Sequence, residues 1–368
     1  MKTIGIMTMH KVLNYGSALQ AWATQEYLRK IGYQALLIDY IYPNESHLKS
    51  KVPIWLRILR FFKNLKEGFP LKKKKKRFEA FWDKNYHLSL MYETKEKLHS
   101  APPIYDLYLV GSDQVWNYDY IKDDTSFFLS FVKHGEKMSY ASSFSKNKLT
   151  DEYKEKLKLL LKDFKALSVR ESNGVKIVNE LFPNKCCLSL DPTLLLNKED
   201  YKPLIKQSQI IIKEPFILVY ILNYAFNPYP YATKFIEKAA QDTGFKVVCL
   251  DFSSRQNLNV KNMIHLHDSV GPCEFLWLFA NASLIITTSF HGTAFAINFG
   301  KPFYSIINDD NSGDDRMKSL IEQCQATDRM IRKDEIIPII STNIDEGTIQ
   351  RNLNNLRKKS YDYLKTNI

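Results

Sequence analysis

The sequence has little of what small stapled or metal-bound scaffolds require. Its five cysteines (Cys186, Cys187, Cys249, Cys273, Cys324) make no CxxC pair and no metal-ligand spacing. A disulfide framework and a zinc ribbon are therefore excluded, and scattered thiols suit a reducing compartment. The 13 glycines include no GxGxxG and no Walker pattern, which removes the dinucleotide fingerprint and the P-loop from consideration. No apolar run approaches the roughly 20 residues of a membrane span. The opening MKTIGIMTMH also has too short an apolar run for a secretory signal. The expectation is a cytoplasmic protein.

What is present is an ordinary globular composition, 45% hydrophobic and 25% charged over 368 residues, enough for two domains with separate cores. The formal charge of +12 is concentrated: residues 49–77 hold twelve Lys or Arg against one acidic residue, Glu67, leaving 40 basic and 39 acidic residues elsewhere. Such a distribution is no nucleic-acid groove, and no nucleic-acid partner is expected. On a helical wheel, Ile54, Trp55, Ile58, Leu59, Phe61, Phe62 and Leu65 share a face, Arg57, Arg60, Lys63, Asn64 and Glu67 lie opposite, and KKKKKR follows at 72–77. An anionic membrane surface is one partner for 54–77, which would place the protein peripherally on the inner face of the cytoplasmic membrane. A helix packed on the domain with a solvated charge run is the equal alternative.

One stretch organises the rest, LIITTSFHGTAFAINFGKPF at 284–303. A β-branched run at 284–288 reads as a buried parallel strand. Ser289 is a good N-cap, 292–299 is apolar nearly all round, and Gly300 and Pro302 stop the helix. A helix N-terminus at the carboxyl end of a strand attracts anions, and His291 sits where a proton can be exchanged with one. Ser289, Gly292 and Thr293 are the candidate anion contacts, with Arg316 and Lys301 as cationic partners. The acidic and amide loop at 308–315 lacks EF-hand spacing, and no metal is expected.

Upstream, strand 3–9, a helix to Lys30 and strand 35–40 form a β-α-β unit with a parallel sheet. Its turn, Asn14-Tyr15-Gly16-Ser17, is either a ligand contact or a plain helix start. Strand 104–110 ends in GSDQVWN, where Asp113 and Gln114 are placed for sugar hydroxyls, and Trp116 either stacks on a sugar or fills the core. Arg170, after a strand of two or three residues, is either an anion ligand or the partner of Glu171. The polar stretch 197–214 reads as a linker, dividing 1–196 (with the basic insertion 49–77) from 215–345. The helix at 346–368 is expected to pack back on the first domain.

In order, NYGSALQAWATQEYL, YLVGSDQVWN, SYASSF, SVRES, LDPTLLL and IITTSFHGTAFAINFGKPF resemble the polysaccharide pyruvyl transferase family across nearly the whole chain. The resemblance implies an α/β protein of two Rossmann-like domains with parallel sheets, GT-B-like, with the site in the interdomain cleft. It implies transfer of pyruvate from phosphoenolpyruvate to two hydroxyls of a sugar in a cell-surface glycan, giving a cyclic ketal and phosphate. Phosphoenolpyruvate is then a co-substrate and no cofactor is needed; the acceptor is a glycan, lipid-linked or nucleotide-linked. His291 resembles the family's histidine and becomes the general acid. Arg170, Ser289, Gly292, Thr293, Arg316 and Lys301 fall to the donor, and Asn14, Tyr15, Gly16, Asp113, Gln114 and Trp116 to the acceptor. Many members carry an arginine two residues before this histidine, where this chain has Ser289; Arg316 or Lys301 would replace it. Two other functions compete: a GT-B glycosyltransferase using a nucleotide sugar, and a non-catalytic membrane-docked scaffold of glycan assembly.

Overall fold

The structure is a computed structural model describing residues 1–41, 70–146, 148–223, 225–250, 260, 263–266, 270–308 and 316–368. The chain forms two compact units, Met1–Leu195 with Ser360–Ile368, and Leu196–Lys359.

In the first unit, β1 (Thr3–Met7), β2 (Gln34–Tyr40), β3 (Leu88–Tyr92), β4 (Leu107–Val110) and β5 (Glu136–Ser139) form a sheet of order β3-β2-β1-β4-β5. Every pairing is parallel. A parallel pair, β6 (Leu167–Val169) and β7 (Cys186–Leu188), adjoins β5 through the bridges Met138↔Ala166 and Ser142↔Val169. Parallel strands are covered on both faces, and the four residues of β4 are accordingly all buried. The helix Tyr15–Lys30 returns the chain from β1 to β2; Asn14 caps it by accepting the Ser17 N–H at 3.2 Å. Gly32, with φ of 96°, supplies the left-handed turn into β2.

The second unit holds β8 (Phe216–Tyr220), β9 (Lys246–Leu250), β10 (Ile264–Leu266), β11 (Leu284–Thr287), β12 (Phe303–Ile307) and β13 (Met330–Arg332), ordered β10-β9-β8-β11-β12-β13 and again parallel throughout. Strand order reverses between β1 and β4 in the first unit and between β8 and β11 in the second. In open α/β sheets, ligands bind outside the carboxyl ends of the strands at such reversals. Residues 8–17 and 111–114 occupy the first of these places, and 221–222 and 288–291 the second.

Three stretches differ from the sequence reading. The segment 197–214 contains the helix Lys198–Ile205, started by an Asn197–Asp200 capping box; four polar residues at a helix start had looked like linker composition. The strand expected at 104–110 is confined to Leu107–Val110. The run Lys72–Arg77 is no tail, because it forms the first turns of the helix Pro70–Asn85. The amphipathic stretch 54–69 lies outside the described residues, as does 309–315 of the acidic loop. Among the described residues no helix is long and apolar enough to cross a membrane.

Candidate active site

The 284–303 stretch folds as strand, turn and helix. β11 ends at Thr287, Ser289 is the N-cap, and the helix runs Phe290–Asn298. Ser289 Oγ accepts the Gly292 N–H at 3.3 Å, and its carbonyl accepts the Thr293 N–H at 2.9 Å. His291 is therefore the second residue of the helix, in the turn where the macrodipole is positive. The helix is held by its apolar body: Phe295 packs against Tyr201, Phe275 and Phe279 with ring centroids 5.4, 5.7 and 6.2 Å away. His291 is half-buried, its ring 5.2 Å from that of Phe290. Arg316 opens the helix Arg316–Gln323, is 4% exposed, and sets its guanidinium carbon 5.6 Å from the Phe290 centroid. His291 and Arg316 thus both lie near the Phe290 ring, which directly follows the Ser289 cap.

Three other donor candidates are placed differently. Thr293 is fully buried and its hydroxyl bonds Ser305 Oγ at 2.6 Å, so its side chain ties the helix to β12. Lys301 follows the carboxyl end of the helix, where its N–H bonds the Ala296 carbonyl. A helix of nine residues is about 13 Å long, which sets Lys301 at the opposite end from His291. There burial and Lys198 push its ammonium pKa down, with Glu346 opposing them. Gly292 acts through what it lacks: a Cβ there would lie 2.3 Å from Thr287 Oγ1. That hydroxyl donates to the Tyr220 carbonyl at 2.8 Å and accepts the Ser289 N–H at 3.0 Å. Gly292→Ala is expected to lift the helix off β11 and cost about 1–3 kcal/mol by overpacking, read as a lowered urea midpoint. An unchanged midpoint would show that Thr287 can rotate away at no cost.

In the first unit the polar groups also gather at the strand ends. Asp113 follows β4 with φ of 75°, a left-handed conformation rare for a residue with a side chain. Its Oδ2 accepts the Ser17 hydroxyl, and its Oδ1 accepts the Gln114 N–H at 2.9 Å. Arg170 reaches Asp113 Oδ1 at 3.4 Å, Asp191 Oδ2 at 2.6 Å and Ser112 Oγ at 3.3 Å. Ser112 Oγ also donates to Asp191 at 2.8 Å. Arg170 is therefore a buried cation between two carboxylates, not a fork presented to the donor. The neighbouring Glu171 holds the loop that follows β5, its Oε1 accepting the Phe144 and Ser145 N–H groups at 2.7 and 3.3 Å.

Trp116 is 0% exposed, stacked on Phe128 at 5.8 Å with its indole N–H on the Phe127 carbonyl; it fills the core and no sugar stacks on it. Tyr15 and Gly16 are buried in the first turn of their helix, and the Asn14 side chain is engaged as the cap. Gln114 is partly exposed, its Oε1 accepting Asn117 Nδ2 at 2.8 Å. A second buried group was not anticipated. His10 Nε2 lies 3.1 Å from Asp39 Oδ1, His10 Nδ1 lies 3.1 Å from the Thr8 carbonyl, and Lys11 Nζ lies 2.7 Å from Asp39 Oδ2. Burial raises the Asp39 pKa, but the His10 and Lys11 hydrogen bonds outweigh it and hold the carboxyl below its usual range. The aspartate at the end of strand 35–40 was the available signal.

Two doubly wound parallel α/β units, each with polar groups at its point of strand reversal, define a GT-B-like protein. Solved structures agree on the fold. UDP-N-acetylglucosamine 2-epimerase from Rickettsia bellii is 12% identical with a TM-score of 0.52, covering 100% of this chain and 96% of that one. The Methanocaldococcus jannaschii UDP-GlcNAc 2-epimerase is 13% identical with a TM-score of 0.52, covering 96% and 92%. The S. aureus MnaA–UDP co-structure is 12% identical with a TM-score of 0.51, covering 100% and 91%. No curated protein matches the sequence significantly. The family model for polysaccharide pyruvyl transferase matches residues 14–310, and the chain belongs to that family.

Proposed function

We propose that the protein transfers pyruvate from phosphoenolpyruvate to two hydroxyls of one sugar in a cell-surface polysaccharide precursor. The observation that carries the reading is the grouping of Ser289, His291 and Arg316 at the N-terminal turn of the helix Phe290–Asn298. Phosphoenolpyruvate brings a phosphate and a carboxylate, which suit a helix N-terminus and a guanidinium. In this mechanism His291 gives a proton to the methylene carbon, C3, and C2 becomes electrophilic. The first sugar hydroxyl adds to C2 and releases its proton to water. The second hydroxyl then displaces phosphate, its proton returning to the His291 imidazole, and the ketal closes. Within the first unit, Asp113, held by Ser17 in its unusual φ, is the candidate for holding sugar hydroxyls, with Gln114 next to it in the chain.

The test is calorimetric titration with phosphoenolpyruvate, alongside a panel of nucleotide sugars, of the wild type and of Arg316→Ala. Saturable phosphoenolpyruvate binding that weakens about 10- to 100-fold without Arg316 is expected, since a hydrogen bond to a charged group contributes about 1.5–3 kcal/mol. Binding of a nucleotide sugar with none of phosphoenolpyruvate would replace the reading with glycosyl transfer.

A further inference from the structure

The first two turns of the helix Pro70–Asn85 carry a face that the transferase reading leaves without a role. Lys72, Lys73, Lys75 and Lys76 are exposed, while Lys74 and Arg77 are half-buried. The opposite face is anchored: Phe78, Phe81 and Trp82 are 0%, 4% and 8% exposed. At 100° per residue, Lys72, Lys73 and Lys76 fall within about 100° of one another, opposite the side that contains Phe78 and Phe81. Two carboxylates of the helix offset this face, Glu79, 3.5 Å from Lys75 Nζ, and the exposed Asp83, which lies on the lysine side two turns further on beside the exposed Lys84. The helix is also tied to the acceptor side of the first unit. Lys74 Nζ lies 4.5 Å above the Tyr15 ring, whose centroid is 5.2 Å from that of Phe78. Tyr15 directly follows the Asn14 cap.

We infer that this lysine face docks on an anionic membrane surface, bringing the turn at Asn14–Ser17 to the bilayer where a lipid-carried acceptor would be presented. Charge complementarity selects the occupant. Lysine ammoniums are compact point charges on flexible stems with no fixed fork, so a row of them matches a planar array of lipid phosphates better than a single shaped anion. Clusters of four to eight basic residues on a helix attract such surfaces, and the attraction is screened by salt. Outside 49–77 the chain is nearly neutral, with 40 basic and 39 acidic residues, so the net positive charge is centred on the stretch that ends in this face. The link to the acceptor rests on the proposed transferase activity; the docking does not.

The experiment is co-sedimentation of the full chain with vesicles of phosphatidylcholine alone or with 30 mol% phosphatidylglycerol, at about 50 mM and 500 mM salt. The partner variant is Lys72→Gln, Lys73→Gln, Lys75→Gln and Lys76→Gln combined. Salt-sensitive binding to the anionic vesicles only, reduced at least tenfold in the variant, is the expected result. The variant's thermal midpoint and phosphoenolpyruvate titration should match the wild type, because no substituted side chain is buried or assigned to the donor; this arm reads the transferase assignment separately. Equal vesicle binding by variant and wild type, no vesicle binding by either, or lysine-dependent binding to single-stranded DNA without vesicle binding would each overturn the inference.

Discussion

Arg170→Ala is expected to destabilise the first unit by about 3–5 kcal/mol, the usual cost of breaking a buried ion pair from one side. The guanidinium sits 2.6 Å from Asp191 and 3.4 Å from Asp113, and its side chain is 1% exposed. Without it, two buried carboxylates face each other with little water to screen them. The strain then spreads, because Asp191 also receives Thr193 N–H and hydroxyl bonds at 3.0 and 2.7 Å, and Ser112 bridges it to the end of β4. Urea unfolding followed by tryptophan fluorescence reads this unit well, since Trp22, Trp82 and Trp116 all lie in it. Replacing Arg170 and Asp191 together by Met and Leu should recover much of the loss, as apolar substitution of buried ion pairs often does. A stable Arg170→Ala protein that had instead lost phosphoenolpyruvate affinity would return the residue to the donor.

That arginine shows what a sequence conveys and what it withholds. The parallel sheets were legible because buried strands such as Leu107–Val110 and Leu284–Thr287 are continuous apolar runs, and because helix starts and stops carry local signals such as Asn14, Gly32, Ser289 and Gly300. Local chemistry also located the turn of His291. The partners of Arg170 could not be read off, since Asp113 and Asp191 are 57 and 21 residues distant and only strand order brings them together. His10 and Asp39 meet for the same reason, across the parallel pair β1–β2. The places of Lys301 and Thr293 could not be read off on another ground. Closeness in sequence to His291 is not closeness in space on a helix, where two residues turn the side chain toward β12 and ten reach the far end. Trp116 was ambiguous in sequence, because an indole suits a sugar face and a core equally well; Phe128 and Phe144 decide it.

His291→Gln is expected to lower kcat about 10²–10⁴-fold, the range for loss of one general acid, while KM for phosphoenolpyruvate stays within about threefold. Glutamine keeps comparable size and a hydrogen-bond donor, so the anion's surroundings at the helix N-terminus persist and only the transferable proton is lost. The helix should tolerate the change. His291 is half-buried, whereas the packing that seats the helix runs through Phe295 and the Thr293–Ser305 hydrogen bond. Arg316→Ala should give the reverse pattern, a KM raised about 10- to 100-fold with a smaller fall in kcat, because a ligand of the ground-state anion contributes to binding in both ground and transition states. The two variants measured side by side therefore separate proton donor from anion clamp. If His291→Gln raised KM and spared kcat, the histidine would be a phosphate or carboxylate ligand, and the methylene proton would have to come from elsewhere. If both variants lost kcat alone, Arg316 would be acting on charge that develops as phosphate departs, and the helix N-terminus with Ser289 would be left to hold the ground-state anion.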